Sequence, residues 1–237
     1  MKVLIVFAHP EPTSFCAALR QEAVETIGAA GQEVIVSDLY AESFNPVAGR
    51  RDFLETADAA RFHYQSEQLH AAQIAGFSDE IVREHRRVEE ADAIVFLFPL
   101  WWGGPPAILK GWIDRVLAYG FAYVDGARFE TGLFSGKRSL LCVTTGGTRA
   151  RFTDDGAYGE IERVLWPVQR LTLDYMGVSA EAPFICYGAP RVGAEGRADY
   201  LAAWRTRLLL MLDKGPVADG NTRAAPLTEP APWARNI

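Results

Sequence analysis

The sequence has few cysteines, no long apolar run and no concentrated block of basic residues. Its three cysteines lie far apart and form no Cys-x-x-Cys pair, which favours a reducing compartment and gives no sign of a metal site. The apolar run at residues 3–8 is too short for a signal peptide, and no run approaches the roughly 20 residues of a membrane span. The net charge of −6 argues against a general nucleic-acid surface. We therefore expect a cytoplasmic protein with no metal, no nucleic-acid partner and no membrane span.

Short apolar segments alternate with helical patterns along the 237 residues, 49% of which are hydrophobic. Strands are predicted at residues 2–8, 33–39, 93–98, 138–145 and 183–187, with helices between them. Such strands form a parallel sheet that is covered on both faces, and right-handed crossovers make it doubly wound. The expected α/β fold is flavodoxin-like, with a five-stranded parallel sheet of order 2-1-3-4-5. It spans residues 1–214, and an extended tail rich in proline and alanine follows at 215–237.

Two segments depart from a minimal fold of this kind. Residues 40–77 form a long connection that contains several aromatic side chains. We expect this connection to have structure of its own and to pack on the rest of the chain or on a partner subunit. Residues 159–175 have a largely helical pattern, in which Pro167 marks either a kink or a helix start.

Three loops follow the first, third and fourth predicted strands, and we expect them to converge on one edge of the sheet. The first loop, residues 8–16, leads into a helix whose N–H groups can bind a phosphate together with the hydroxyls of Thr13 and Ser14. Simple capping of the helix by Thr13 or Ser14 is the alternative. The loop has neither a Gly-x-Gly-x-x-Gly nor a Walker pattern, so those nucleotide-binding folds are not indicated.

The second and third loops supply an aromatic wall and a polar rim. Trp101 and Trp102 precede Gly103 and Gly104, which let the main chain approach a ligand closely, and two prolines then stiffen the turn. Residues 144–148, Thr-Thr-Gly-Gly-Thr, offer hydrogen-bonding groups with little steric bulk. Taken alone, the tryptophan loop could reflect ordinary packing, and residues 144–148 could be an ordinary turn after a strand. Together with the helix start, the loops suit a flavin nucleotide, with phosphate on the helix and the ring between the other two loops.

Several motifs, in the same order along the chain, resemble the NAD(P)H:quinone oxidoreductase (DT-diaphorase) family. They are residues 37–40 (Ser-Asp-Leu-Tyr), 106–112 (Pro-Ala-Ile-Leu-Lys-Gly-Trp), 144–147 (Thr-Thr-Gly-Gly) and 165–169 (Leu-Trp-Pro-Val-Gln). The resemblance implies a flavodoxin-like enzyme that transfers a hydride from NAD(P)H through FAD to a quinone, in a two-electron ping-pong reaction. FMN is possible in place of FAD. The resemblance also implies a homodimer with active sites at the subunit interface.

The resemblance and the three loops together predict the residues of the site. The expected cofactor-binding residues are His9, Thr13, Ser14, Phe15, Cys16, Pro99, Leu100, Trp101, Trp102, Gly103, Thr144, Thr145, Gly146, Gly147, Phe152 and Arg197. The expected substrate-binding residues are Trp102, Tyr123, Asp125, Arg128, Tyr158 and Tyr175. The expected catalytic groups belong to Tyr158, Gly146 and Gly147.

This sequence departs from the family pattern at several pocket positions. Phe152 and Tyr158 stand where the family has its catalytic tyrosine and histidine, so we expect Tyr158 to be the principal hydrogen-bond donor. Asp125 and Arg128 replace a tyrosine and a methionine, which makes this pocket more polar. From the resemblance we also expect a shorter carboxyl-terminal region than that of the animal enzymes.

Two other functions fit the same fold. One is an FMN-dependent azo-, nitro- or chromate reductase, because FMN suits the same three loops. The other is a flavin-binding accessory subunit of a potassium-efflux system, in which the pocket serves regulation.

Overall fold

The computed structural model describes residues 1–217, in which a parallel β-sheet is covered by helices on both faces. The strands are β1 Lys2–Phe7, β2 Glu33–Asp38, β3 Ala93–Pro99, β4 Arg138–Thr144, β5 Ser179–Ala180 and β6 Phe184–Cys186. The helices are α1 Phe15–Ala29, α2 Tyr64–Ile74, α3 Asp79–Glu90, α4 Ala107–Val116, α5 Ile161–Val168 and α6 Ala194–Asp213.

The sheet has the order β2-β1-β3-β4, and both β5 and β6 pair with β4 at its far edge. Every one of these pairings is parallel. This confirms the predicted order, but the last strand consists of two short pieces rather than one. Pro183 lies between the pieces and has no backbone N–H to donate to β4, so the ladder resumes only at Phe184.

Side chains of the central strands alternate between two cores, one on each face of the sheet. Val3 and Ile5 of β1 lie in the core that α1 and α6 cover, whereas Leu4 and Val6 lie in the core beneath α3 and α4. All four side chains are fully buried. Burial of each such side chain contributes about 1.5–3 kcal/mol. Helices therefore cover both faces of the sheet, as predicted.

The long connection between β2 and α3 has structure of its own, as predicted. It contains α2 and a short 3-10 turn at Arg50–Asp52. Its residues Phe44 and Phe53 are buried in the core of this same chain. A buried ion pair also fixes it, because Arg115 of α4 approaches Asp52 to 2.6 Å. The connection therefore packs on its own subunit.

Pro167 lies inside α5 and marks a change in the helix rather than its start. The helix begins at Ile161, and beyond Val168 the chain continues as a π-helical turn, Gln169–Leu173. A 3-10 turn follows at Asp174–Met176. Because proline removes one hydrogen bond of the helix and crowds the preceding turn, a change of helical type at this point is expected.

Most of the expected tail lies outside the described residues, which end at residue 217. None of the helices in residues 1–217 is long and apolar enough to cross a membrane. Within the same residues, no group of three or more His, Cys, Asp or Glu side chains could hold a metal ion.

Candidate active site

The loops that follow β1, β3 and β4 meet at the carboxyl edge of the sheet. The N–H of Leu100 donates to the carbonyl oxygen of Thr144 over 2.8 Å, which ties the second loop to the third. Cys16 Sγ and Thr144 Oγ1 lie 3.1 Å apart, which brings the start of α1 to the same edge. The three loops thus form one site, because the carboxyl ends of neighbouring parallel strands share one edge.

A cavity of about 440 Å³ opens between the start of α1 and the third loop, and we name it the α1 cavity. Its lining residues are His9, Ser14, Phe15, Cys16, Pro99, Leu100, Trp101, Thr144, Thr145, Gly146, Ala189, Pro190 and Arg197. All except Ala189 and Pro190 belong to the predicted cofactor-binding set. The Arg197 guanidinium of α6 lies 5.8 Å from the centre of the Phe15 ring, so α6 brings a cation to the start of α1.

The two hydroxyl residues before α1 have different roles. Ser14 caps the helix, because its Oγ accepts a hydrogen bond from the N–H of Ala17 over 3.1 Å. Thr13 does not line the cavity. Its hydroxyl donates to Glu11 Oε1 over 2.6 Å, and its N–H donates to the same oxygen over 2.9 Å. The hydrogen-bonding groups of Thr13 are therefore committed to Glu11.

His9 is held by a hydrogen bond within its own loop. Its Nδ1 lies 3.0 Å from the backbone N–H of Glu11, which donates to it. The same Nδ1 lies 3.2 Å from the carbonyl oxygen of Glu11, so both contacts of this nitrogen are made within the loop. The centre of the ring lies 6.3 Å from that of Trp101, so the histidine sits between the first and second loops. His9 also lines the α1 cavity.

The cysteines beneath this cavity are neutral thiols. Burial raises the pKa of Cys16 to about 12, and burial also raises the pKa of Cys142. Only a thiolate is an effective nucleophile or metal ligand. Cys16 therefore contributes shape and a hydrogen bond to Thr144 rather than nucleophilic chemistry.

A second cavity of about 810 Å³ adjoins the first, and we name it the tryptophan cavity. Its lining residues are Leu100, Trp102, Gly103, Thr145, Gly146, Gly147, Thr148, Arg151, Phe152, Tyr158, Val164 and Arg191. Leu100, Thr145 and Gly146 line both cavities. One elongated ligand can therefore extend from one cavity into the other.

A tight turn sends the two tryptophans in different directions. Trp101 and Gly104 exchange two backbone hydrogen bonds of 3.0 Å, and between them Trp102 and Gly103 have φ values of +51° and +74°. A left-handed conformation at so large a residue costs about 1–3 kcal/mol. Trp101 lines the α1 cavity, whereas the indole of Trp102 is fully exposed at the mouth of the tryptophan cavity. The indoles thus form two separate walls.

Gly146 and Gly147 form the floor of the tryptophan cavity, and each lacks a side chain for a different reason. A Cβ added at Gly146 would meet no atom within 4 Å, so the backbone there faces open space. A Cβ at Gly147 would lie 2.8 Å from the ring of Phe152 and 3.0 Å from that of Tyr158. Gly146 therefore leaves room for a ligand, whereas Gly147 leaves room for two aromatic neighbours.

Phe152 and Tyr158 form one side of the tryptophan cavity. Phe152 is buried, and its ring centre lies 5.2 Å from that of Tyr158. Tyr158 is half exposed, and its hydroxyl oxygen accepts a hydrogen bond from Arg151 Nη1 over 2.9 Å. Because the oxygen acts as acceptor in this bond, its own proton remains available for donation to a ligand.

The other predicted substrate-binding residues lie elsewhere on the chain. Tyr123 and Tyr175 line a third cavity of about 860 Å³, which shares no lining residue with the other two. Beside it, Asp125 accepts a hydrogen bond from Tyr119 over 3.1 Å, and the Arg128 guanidinium lies 5.5 Å from the ring centre of Tyr175. Within one subunit, these four predicted residues are not brought together with Trp102 and Tyr158.

Comparison with known proteins agrees with this geometry. The family model described as Flavodoxin-like fold matches residues 1–208. The chain is 40% identical over 217 residues to NAD(P)H dehydrogenase (quinone) 1 of Cavia porcellus, with 91% of this chain and 79% of the relative covered. The chain belongs to the NAD(P)H dehydrogenase (quinone) family. The human relative in this family, ribosyldihydronicotinamide dehydrogenase (quinone), is 41% identical, with 91% of this chain and 94% of the relative covered.

A solved structure extends the likeness to three dimensions. A protein assigned as a quinone reductase from Klebsiella pneumoniae superposes with a TM-score of 0.88 at 38% identity. The superposition covers 91% of this chain and 86% of that chain. The family membership and the flavodoxin-like fold thus rest on sequence and structure together.

Three residues that line the tryptophan cavity are not predicted from the sequence or from the family resemblance. They are Arg151, Val164 and Arg191. Arg151 comes three positions after the predicted loop 144–148, so its place after β4 is a signal that could have found it. Arg191 approaches from the connection between β6 and α6, which carries no recognisable motif. Only the tertiary structure brings its side chain to the cavity.

Proposed function

We propose that the protein is a NAD(P)H dehydrogenase (quinone) that uses a bound flavin to reduce a quinone by two electrons. The observation that carries this proposal is the pair of adjoining cavities, which share Leu100, Thr145 and Gly146. The α1 cavity offers a helix amino terminus and Arg197 to phosphate groups. The tryptophan cavity offers an exposed indole and a glycine floor to a planar ring. The names of the relatives from Cavia porcellus and human support the same activity.

The lining residues fit a flavin nucleotide, and we propose FAD, with FMN as the alternative. Gly146 faces open space, so a planar ring can approach the backbone at that point. The His9 ring and the start of α1 can bind phosphate oxygens, and Arg197 supplies a cation for a second phosphate. This second phosphate position is our reason to prefer FAD. The chemistry that a bound flavin supplies is two-electron transfer between NAD(P)H and an oxidised acceptor.

Three side chains of the tryptophan cavity orient the substrates in this proposal. The Trp102 indole stacks on a planar ring at the cavity mouth. The Tyr158 hydroxyl donates a hydrogen bond to a carbonyl oxygen of the acceptor, since Arg151 already occupies one of its lone pairs. The Phe152 ring supports Tyr158 and keeps water from that side.

A second copy of the chain completes the site in this proposal. Tyr123, Asp125, Arg128 and Tyr175 lie together, away from Trp102 of the same subunit. The full exposure of the Trp102 indole supports a homodimer in which the partner covers it. Tyr123 and Tyr175 of one subunit would then face the tryptophan cavity of the other.

Rapid mixing of the purified holoprotein with NADPH tests the proposed activity. We expect the visible absorbance of the flavin to bleach and to return when a quinone is added. Protein that is colourless and takes up neither FAD nor FMN on reconstitution would refute the proposal.

Measurements on the same purified protein distinguish FAD from FMN and the proposed activity from the two other functions. Chromatography of the flavin released by acid distinguishes FAD from FMN. Faster turnover with azo, nitro or chromate acceptors than with any quinone would favour the FMN-dependent reductase. Negligible turnover with every acceptor, together with co-purification with a membrane channel, would favour the accessory subunit.

A further inference from the structure

Two arginines line the tryptophan cavity, and a third lies near it. Arg151 and Arg191 line the cavity, and Arg149 lies beside it, with its guanidinium 5.4 Å from the ring centre of Tyr187. All three are exposed. Within residues 1–217 none of them forms an ion pair with a carboxylate. The three guanidinium groups are therefore not committed to a carboxylate of the described residues.

Two of the guanidinium groups are already held in position. Arg191 Nη1 donates to the carbonyl oxygen of Gly146 over 2.6 Å, so this cation is anchored on the cavity floor. Arg151 Nη1 donates to the Tyr158 hydroxyl over 2.9 Å, so this cation is anchored on the cavity wall. A guanidinium has five N–H donors. Each of these side chains therefore keeps donors for a ligand after its anchoring bond is made.

Three carboxylates of this region contact partners other than these three arginines. Asp154 and Glu160 lie 3.4 and 3.1 Å from the guanidinium of Arg163. Asp155 accepts the hydroxyl hydrogen bond of Thr153 over 2.8 Å. Arg163 is therefore an arginine of the same region whose charge is paired, and it provides a matched control.

We propose that Arg151 and Arg191, with Arg149 beside them, form a binding site for an oxyanion carried by a substrate of the tryptophan cavity. The site would take a phosphate, carboxylate or sulfonate, because guanidinium groups bind such groups through paired, charge-assisted hydrogen bonds. The proposal rests on the proposed function and extends it to substrate choice. Two sources of the oxyanion are the 2′-phosphate of NADPH and an acidic substituent on the acceptor.

Paired substrates distinguish these two sources. For the donor, we compare kcat/KM for NADPH and NADH, and calorimetric binding of NADP⁺ and NAD⁺ to the holoprotein. For the acceptor, we compare 1,4-naphthoquinone-2-sulfonate with 2-methyl-1,4-naphthoquinone, which carries no charge. The variants are Arg151→Gln, Arg191→Gln and the double variant. Arg163→Gln is the control, and it makes the same change in net charge as either single variant.

We expect the substrate preference to change for one of the two pairs, either the nucleotides or the quinones. If the 2′-phosphate is bound, the double variant lowers the NADP⁺/NAD⁺ ratio of affinities and the NADPH/NADH ratio of kcat/KM about tenfold or more. If the acidic substituent of the acceptor is bound, the ratio of kcat/KM for the sulfonated quinone to that for the uncharged quinone falls to this degree. Each ratio removes the effects that loss of the bonds to Tyr158 and Gly146 has on both members of a pair. Arg163→Gln leaves both ratios unchanged. Raised salt concentration should reduce the wild-type preference, because screening weakens exposed charge pairs.

A second variant separates ligand binding from support of the cavity floor. Arg191→Lys keeps a cation that can reach the Gly146 carbonyl but loses the planar fork, so it should recover only part of the preference. Equal ratios in the wild type and the double variant, for both pairs, would overturn the inference. Failure of both nucleotides to bleach the flavin would overturn the proposed function instead, so the two failures are distinguishable.

Discussion

The α1 cavity and the tryptophan cavity share three residues, yet they are built in different ways. Cys16, Thr144 and Thr145 of the α1 cavity are buried and lie at the ends of regular elements. Trp102 and Arg191 of the tryptophan cavity are exposed and lie on turns. Regular elements therefore fix the part of the site that we assign to the phosphates. Exposed turns determine the part that we assign to the substrate.

Removal of the Arg197 guanidinium should have the largest effect and should be confined to the α1 cavity. We expect Arg197→Ala to weaken FAD binding roughly 10- to 100-fold, because a charge-assisted hydrogen bond contributes about 1.5–3 kcal/mol. Titration of the apoprotein with FAD measures this affinity. Arg205→Ala is the control, since Arg205 lies on the same helix but pairs with Glu22 over 2.7 Å. An unchanged affinity in Arg197→Ala would remove this residue from the cofactor site.

The two floor glycines should respond differently to the same added methyl group. Gly147→Ala forces the rings of Phe152 and Tyr158 to move, so we expect a loss of about 1–3 kcal/mol in the free energy of unfolding. Gly146→Ala should change the free energy of unfolding little, because its Cβ meets no protein atom, but should weaken flavin binding. Urea denaturation of the apoproteins and flavin titration measure the two quantities. The same stability loss in both variants would contradict the distinction.

Loss of the Tyr158 hydroxyl should affect the second half of the reaction more than the first. Tyr158→Phe removes one donated hydrogen bond, and we expect quinone reduction to slow about tenfold while flavin reduction by NADPH changes less. Stopped-flow measurement of each half-reaction tests this, with Tyr40→Phe as a control outside the cavities. Equal rates for Tyr158→Phe and the wild type would remove Tyr158 from the mechanism.

The smallest effect is expected at Cys16, which lies in the α1 cavity but remains a neutral thiol. Since burial raises its pKa to about 12, it stays protonated at pH 8, and we expect iodoacetamide to label it only after unfolding. The unfolded thiol ionises near pH 9, so this group lowers stability as pH rises above 9, by up to about 1.4 kcal/mol per pH unit. Mass spectrometry of labelled protein and urea denaturation at pH 8 and pH 10 test these expectations. Rapid labelling of the folded protein at pH 8 would contradict them.

Sequence patterns predict the α1 cavity much better than the tryptophan cavity. His9, Cys16 and Thr144 lie at or close to the ends of regular elements, so strand order alone places them at one edge. Thr13 is the exception, because its local bond to Glu11 decides its direction. No sequence pattern places Arg191. Its guanidinium contacts the carbonyl oxygen of Gly146, which lies 45 positions earlier in the chain.

The sequence by itself determined the parallel sheet, its strand order and the edge at which the loops meet. It did so because apolar strands that alternate with helices can bury both faces of a sheet in few ways. Only the tertiary structure decided that the two indoles diverge, that the last strand is divided and that two distant arginines line one cavity. These features depend on local backbone conformation and on contacts between distant residues, which a periodic pattern of hydrophobic residues does not record.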